Sequence, residues 1–298
     1  MPAADLDPDV VEGFQVVASD GATATLSCFP LPPGSAPAPV VLCLAAMGIE
    51  ARYYAGFAGQ LRRLGLNAAT LELRGMGTSS VRPSHSTDYG YGTILERDLP
   101  PAISRLRERL PGSPLFLLGH SLGGQLSALF LALHPEEVEG LVLIASGTPH
   151  YAIWPWPQRW VVYGMGVIFP AVAAIVGYFP GEHISFAGKE SRGMIREWAR
   201  IVREGRFRLD TWNGRDPEEA LGEVRAPVLG ISLVNDRLTP PAVMDHLLGK
   251  MPHARVERFL YDHREHGEPP VDHVRWPKHP RVIAERSAAW ILSQAKAR

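Results

Sequence analysis

The run Pro114-Leu115-Phe116-Leu117-Leu118 leads into Gly119-His120-Ser121-Leu122-Gly123, which opens a helical pattern from Gly124 to Leu133. An apolar strand, a sharp turn and a helix form the setting in which a Gly-x-Ser-x-Gly turn becomes a nucleophile elbow. Two glycines are needed for steric reasons. The serine at the apex has a strained backbone, and side chains at the flanking positions would strike the neighbouring strand and helix. Such a turn lifts the Ser121 hydroxyl clear of the sheet and aims the N–H groups of the helix start at whatever that hydroxyl attacks. The competing reading is a glycine-rich turn whose serine only caps the helix. The strand-turn-helix context favours the nucleophile.

The same alternation of strand and helix extends on both sides of the elbow. Phe14–Val17 and Ala22–Phe29 read as strands joined at Ser19-Asp20-Gly21, a hairpin signal. Val40–Leu44 is continuously apolar, as in a strand buried on both faces. Arg52–Leu64 has helical periodicity and stops at Gly65, and Asn67–Leu73 reads as the next strand. A helix over Asp98–Leu110 tolerates Pro100 and Pro101 in its first turn, where Asp98 suits the helix dipole. Val138–Ile144, Pro227–Leu233 and Arg255–Tyr261 read as further strands, and Arg281–Ala295 as a closing helix. This is an α/β pattern, a mostly parallel central sheet covered by helices on both faces. From Thr148 to Glu223 strand alternation disappears and Trp, Pro and Gly accumulate. The expected organisation is a core of residues 1–147 and 224–298, with a helical cap inserted at 148–223. Trp160–Phe179 carries no charge but contains Gly164, Gly166, Pro170 and Gly177, so it reads as apolar cap helices rather than a membrane span.

Composition narrows the function. The 298 residues carry 30 Lys and Arg against 31 Asp and Glu, and the basic residues are scattered, which argues against a nucleic-acid partner. The two cysteines, Cys28 and Cys43, fall in apolar strands and read as reduced core residues. No zinc-like Cys/His spacing is present, and neither metal nor organic cofactor is expected. Met1 to Asp7 is acidic without an apolar stretch, so a cytoplasmic setting is expected and membrane contact is not. A homodimer remains open.

Several segments together resemble the α/β-hydrolase fold superfamily, in its capped, serine-aminopeptidase-like branch. They are Leu44-Ala45-Ala46-Met47-Gly48, Leu73-Arg74-Gly75-Met76-Gly77-Thr78-Ser79, the elbow through Gln125, Gly177-Tyr178-Phe179-Pro180-Gly181 and Val271-Asp272-His273-Val274. The resemblance spans nearly the whole chain and implies a Ser, acid, His order. Asp236, in Val234-Asn235-Asp236-Arg237-Leu238 just after a strand, stands where the acid is placed. Asp210 and Asp216 are weaker candidates. The base is contested among His273, His266 and His263. His273 matches best, although Asp272 replaces the usual glycine. The resemblance also implies an oxyanion hole from the amides of Leu122 and Met47, in a loop where Ala45-Ala46 replaces His-Gly. Arg74-Gly75-Met76-Gly77 reads as a loop whose glycines let it pass close to the elbow. Tyr151, Trp154, Trp160 and Tyr178 are candidate pocket residues, within a cap whose aromatics could equally form a packed core.

These readings point to a serine hydrolase acting on an ester, thioester or related acyl bond of a small-molecule substrate with an apolar or aromatic part. Two alternatives use the same residues differently: an acyltransferase or cyclising enzyme of secondary metabolism, and a non-catalytic binding module. A peptidase would need an anchor for a peptide N-terminus, and Asp216-Pro217-Glu218-Glu219 reads first as a solvated helix start.

Overall fold

The computed structural model describes residues 11–296 apart from 185, 211 and 213, so the segment Met1 to Asp7 lies outside the described residues. Eight strands form one sheet: β1 (Glu12–Val17), β2 (Thr23–Phe29), β3 (Val40–Leu44), β4 (Asn67–Leu71), β5 (Leu115–His120), β6 (Gly140–Ile144), β9 (Pro227–Leu233) and β10 (Arg255–Tyr261). They lie in the order β1-β2-β4-β3-β5-β6-β9-β10. The two pairings made by β2 are antiparallel and all others parallel. Every residue of β3, β4, β5, β6 and β9 is buried, which is why these strands are mostly apolar instead of alternating. The helices of the core are α1 (Ala55–Arg63), the short α2 (Tyr91–Thr93), α3 (Leu99–Arg109), α4 (Leu122–Leu133), α8 (Pro241–Gly249) and α9 (Arg281–Lys296).

Strand order places the site. From β3 the chain moves outward to β4, then returns to the other side of β3 as β5. Connections therefore leave β3 and β5 in opposite directions, and a crevice opens beyond their carboxyl ends. The loop after β3 and the turn after β5 meet there.

Between β6 and β9 stand α5 (Gln158–Val176), strands β7 (Tyr178–Pro180) and β8 (Lys189–Ser191), α6 (Arg192–Glu204) and α7 (Pro217–Gly222). Two expectations change here. The region is not purely helical, because β7 and β8 pair as an antiparallel ribbon. The uncharged stretch forms one helix, α5, which ends at Gly177 in the left-handed region with φ 87°. Pro170 sits inside it. One face of α5 packs on α6, while Trp160, Val167, Ile168 and Ile175 point outward.

The Arg74 loop also differs from expectation. Gly75 (φ +90°) lies against the Tyr89 hydroxyl and Gly77 (φ +33°) against the Glu72 carboxylate, so the loop packs on these groups and not on the elbow. Arg74 is buried and donates to Asp98 at 2.6 and 3.0 Å and to Asp20 at 2.9 and 3.1 Å. Asp98 is thus an ion-pair partner, and its side chain does not cap α3. Hydrogen bonds from Arg74 hold the Asp20 carboxyl down at about 2. Cys28 and Cys43 are free and buried, and burial pushes their thiols up to about 11 and about 12.

Candidate active site

Ser121 occupies the turn between β5 and α4 with φ 52° and ψ −115°, a strained backbone for a residue with a side chain. The surrounding glycines allow it. A Cβ on Gly119 would lie 2.3 Å from the carbonyl carbon of Gly123, and one on Gly123 would lie 2.2 Å from the Leu44 carbonyl oxygen. Ser146 Oγ donates to the Ser121 carbonyl at 2.7 Å and the Ser121 amide donates to Ile144 at 3.2 Å, pinning the turn to the end of β6.

Of the three candidate histidines, the fold brings His273 to the serine. Its Nε2 is 3.0 Å from Ser121 Oγ, and its Nδ1 is 2.7 Å from Asp236 Oδ2. His266 stacks on Tyr261 with ring centroids 5.7 Å apart, and His263 lies beside Asn235 at 3.4 Å. Asp272, which stands where a glycine was expected, accepts from the amides of Val274 at 3.0 Å and Arg275 at 2.8 Å. This closes a tight turn around His273 and fixes the direction of its side chain.

Asp236 follows β9 and is held on several sides. Its Oδ1 accepts from the amides of Leu238 at 2.8 Å and Thr239 at 2.9 Å, and its Oδ2 accepts from the Thr239 hydroxyl. Burial works against the charged carboxylate, but the bonds from His273 and Thr239 outweigh it and keep its pKa below the ordinary value. Asp236 therefore presents a full negative charge to His273 Nδ1, which must then carry the proton and leave Nε2 free to accept one. The weaker acid candidates are occupied elsewhere. Asp210 pairs with Arg196 at 2.5 Å and Arg200 at 2.9 Å, and Asp216 caps α7 by accepting from the Glu218 amide at 2.7 Å.

Ser121, His273, Met47 and Leu122 all line one cavity of about 510 Å³, a size typical of small-molecule sites. In the loop after β3, the Ala46 amide donates to Tyr54 Oη at 3.1 Å, so Met47 supplies the next amide. Gly48 (φ +74°) meets Ala187 so closely that a Cβ would lie 2.3 Å from its carbonyl carbon. The inserted segment thus rests directly on this loop.

The far wall belongs to that segment: Trp154, Val162, Met165, Phe186 and Trp198. Of the pocket residues expected from the sequence, only Trp154 lines the cavity. Tyr151 packs against Tyr163 at 5.0 Å and Trp160 at 6.2 Å, Trp160 is 56% exposed, and Tyr178 lies beneath the Lys189 ammonium at 4.0 Å. The reason is the rotation of α5. Val162, Met165 and Phe169 share one face at helical spacing, which leaves Trp160 on the other. Phe169 packs on Phe179 and Phe186 as core. Met165 and Val162 were legible only as members of this stripe, and Trp198 only from the periodicity of α6. Among the described residues, one His and carboxylate cluster has ligand atoms within 4.8 Å of one another, His134, Glu136 and Glu137, and none of these lines the cavity.

The sheet order, the elbow and the convergence of loops beyond β3, β5 and β9 define an α/β hydrolase. The chain belongs to the family described as serine aminopeptidase, S33, whose match covers residues 35–268. A monoglyceride lipase of Rattus norvegicus is 28% identical over 113 residues, 38% of this chain and 36% of that protein. A pimeloyl-[acyl-carrier protein] methyl ester esterase of Nitrosomonas europaea is 29% identical over 171 residues, 52% of this chain and 65% of that protein. In both cases the match spans less than two thirds of the relative. Among solved structures, the esterase EaEST from Exiguobacterium antarcticum superposes with TM-score 0.61 at 17% identity, covering 94% of this chain and 99% of that one. The thioesterase domain from the curacin biosynthetic pathway gives 0.56 at 19% identity, covering 95% and 99%. At such identities the structural likeness speaks for the fold.

Proposed function

We infer that this protein is a serine hydrolase that cleaves an ester or related acyl bond next to an apolar group, through an acyl-enzyme. The observation that carries this reading is the unbroken row Ser121 Oγ, His273 Nε2 and Nδ1, Asp236 Oδ2, with contacts of 3.0 and 2.7 Å, at the floor of an apolar cavity.

His273 Nε2 takes the Ser121 proton as Oγ bonds to the substrate carbonyl carbon. The carbonyl oxygen gains the charge and is held by the amides of Met47 and Leu122. As the tetrahedral species collapses, the bond to the leaving group breaks and His273 returns its proton to that group. Water then attacks the acyl-enzyme by the same route and frees the acid and Ser121. Asp236 stabilises the imidazolium formed in each half. Residues 148–223 act as the cap, and its residues Val162, Met165, Phe186 and Trp198 take the apolar part of the substrate. The names of the lipase and the methyl ester esterase matched in sequence point the same way.

The test is labelling with a fluorophosphonate, read by peptide mass spectrometry, together with a panel of p-nitrophenyl esters of increasing chain length. Label on Ser121, lost in Ser121→Ala and His273→Ala and kept in His266→Ala, is expected, with longer acyl chains preferred over acetyl. An unlabelled wild type that cleaves no ester would overturn the reading in favour of a binding module.

A further inference from the structure

His120 sits inside the elbow, wholly buried, and the hydrolytic steps make no use of it. Its ring lies 4.8 Å from that of His273 and 5.4 Å from that of Trp276, centroid to centroid. Its Nδ1 is 2.6 Å from Tyr54 Oη. Tyr54 is buried too, in a short 3-10 helix (Ala51–Tyr54) that precedes α1. Its hydroxyl oxygen accepts from the Ala46 amide at 3.1 Å. The hydroxyl has one proton to give, and His120 Nδ1 is the acceptor within reach, so Tyr54 donates and His120 accepts.

This gives a chain of contacts: Ala46 N–H to Tyr54 Oη, Tyr54 O–H to His120 Nδ1, His120 ring against His273 ring. It begins one residue before Met47, passes one residue before Ser121, and ends on the base. We propose that Tyr54 and His120 are positioning residues that hold the oxyanion loop and the His273 ring in register with Ser121. The proposal rests on the hydrolase reading above.

The protonation of His120 fits this role. Burial, reinforced by His273, pushes its pKa well below the ordinary value, so the ring is neutral. Neutrality matters at this distance, because His273 becomes a cation in each step and a second cation against it would oppose that change. The neutral ring carries its proton on Nε2, because Nδ1 accepts from the Tyr54 hydroxyl. What histidine adds is the Nδ1 acceptor that fixes the Tyr54 hydroxyl, and through it the amide before Met47. Without that anchor the Ala46-Met47-Gly48 loop is free to tilt, and a small tilt moves the Met47 N–H away from the developing oxyanion.

The experiment compares wild type with Tyr54→Phe, His120→Asn and His120→Leu. A short p-nitrophenyl ester gives kcat and KM, an alkyl boronic acid mimics the tetrahedral species, and fluorophosphonate labelling of Ser121 serves as reference. Tyr54→Phe is expected to lower kcat and boronate affinity by about tenfold or more while KM stays within about twofold, since only the charged, tetrahedral state depends on the aligned amide. General loosening of the fold would move all three together. His120→Asn keeps an acceptor close to the Nδ1 position and should retain most of the activity. His120→Leu lacks it and should behave like Tyr54→Phe. Equal activity in the Asn and Leu variants, or unchanged boronate affinity in Tyr54→Phe, overturns the proposal. If Tyr54→Phe does not fold, the Asn and Leu pair decides alone. An unlabelled wild type would instead refute the underlying hydrolase reading, so the two failures are distinct.

Discussion

Replacing Asp236 by asparagine tests the proposed triad with little change in shape. Oδ1 already accepts two backbone amides, from Leu238 and Thr239 at 2.8 and 2.9 Å. The amide oxygen of asparagine can keep both, which forces its NH2 group into the place of Oδ2, 2.7 Å from His273 Nδ1. An NH2 group donates, so His273 Nδ1 must accept, and the ring proton moves to Nε2. That nitrogen faces Ser121 Oγ at 3.0 Å and can then no longer take its proton. The stabilised imidazolium is lost at the same time. A wrong tautomer of this kind costs about 10⁴-fold in kcat, or about 5.5 kcal/mol of transition-state stabilisation. The fold should survive, because the backbone bonds remain and the NH2 group can donate to the Thr239 hydroxyl. The assay is steady-state hydrolysis of a p-nitrophenyl ester beside a thermal melt. A loss of about 10⁴ with an unchanged melting temperature is expected. A properly folded Asp236→Asn variant that keeps more than about a tenth of wild-type kcat would refute the reasoning, since no triad mechanism tolerates that tautomer.

Gly119→Ala should destabilise the fold by at least about 3 kcal/mol in chemical denaturation, because the new Cβ meets backbone 2.3 Å away that cannot move aside. Glu197, buried in α6, accepts from the amides of Tyr91 and Asp210, each at 2.6 Å, and burial raises its pKa from an ordinary 4.5 to about 7. A raised folded pKa contributes stability below pH 4.5 that is lost as pH rises through about 7, up to about 3 kcal/mol. Glu197→Gln lacks this loss, so its stability measured against wild type should improve from pH 5 to pH 8, and a constant difference would contradict the assignment. Along a series of acyl esters, kcat/KM should rise about fourfold per methylene until the cavity is full. Met165→Trp should end that rise at a shorter chain, and an unaltered chain-length profile would remove α5 from the substrate wall.

The elbow turn, the strands and the place of Asp236 just after a strand were legible because each depends on a few neighbouring residues. A serine between glycines after an apolar run demands a tight strand-to-helix turn, and the structure has it with φ 52° at Ser121. A predominance of apolar residues without alternation marked the central strands, because helix-covered parallel strands have no solvent face. Asp236 was readable because it follows β9 closely.

The remainder depended on how distant segments meet. His263, His266 and His273 share one loop and similar chemistry, and nothing local separates them. The choice falls to the path of that loop, which carries His273 across 152 residues of sequence to Ser121. The pocket wall was misread for a related reason. Aromatic content marked Tyr151, Trp160 and Tyr178, but which face of α5 looks inward is set by packing on α6, and composition carries no record of it. Arg74 likewise read as part of a glycine loop, while its partners Asp20 and Asp98 come from a hairpin turn and a helix start elsewhere in the chain. Backbone sterics and burial periodicity act over a few residues and are written locally. The convergence of side chains on a site is a property of the packed whole, so only the tertiary structure could decide it.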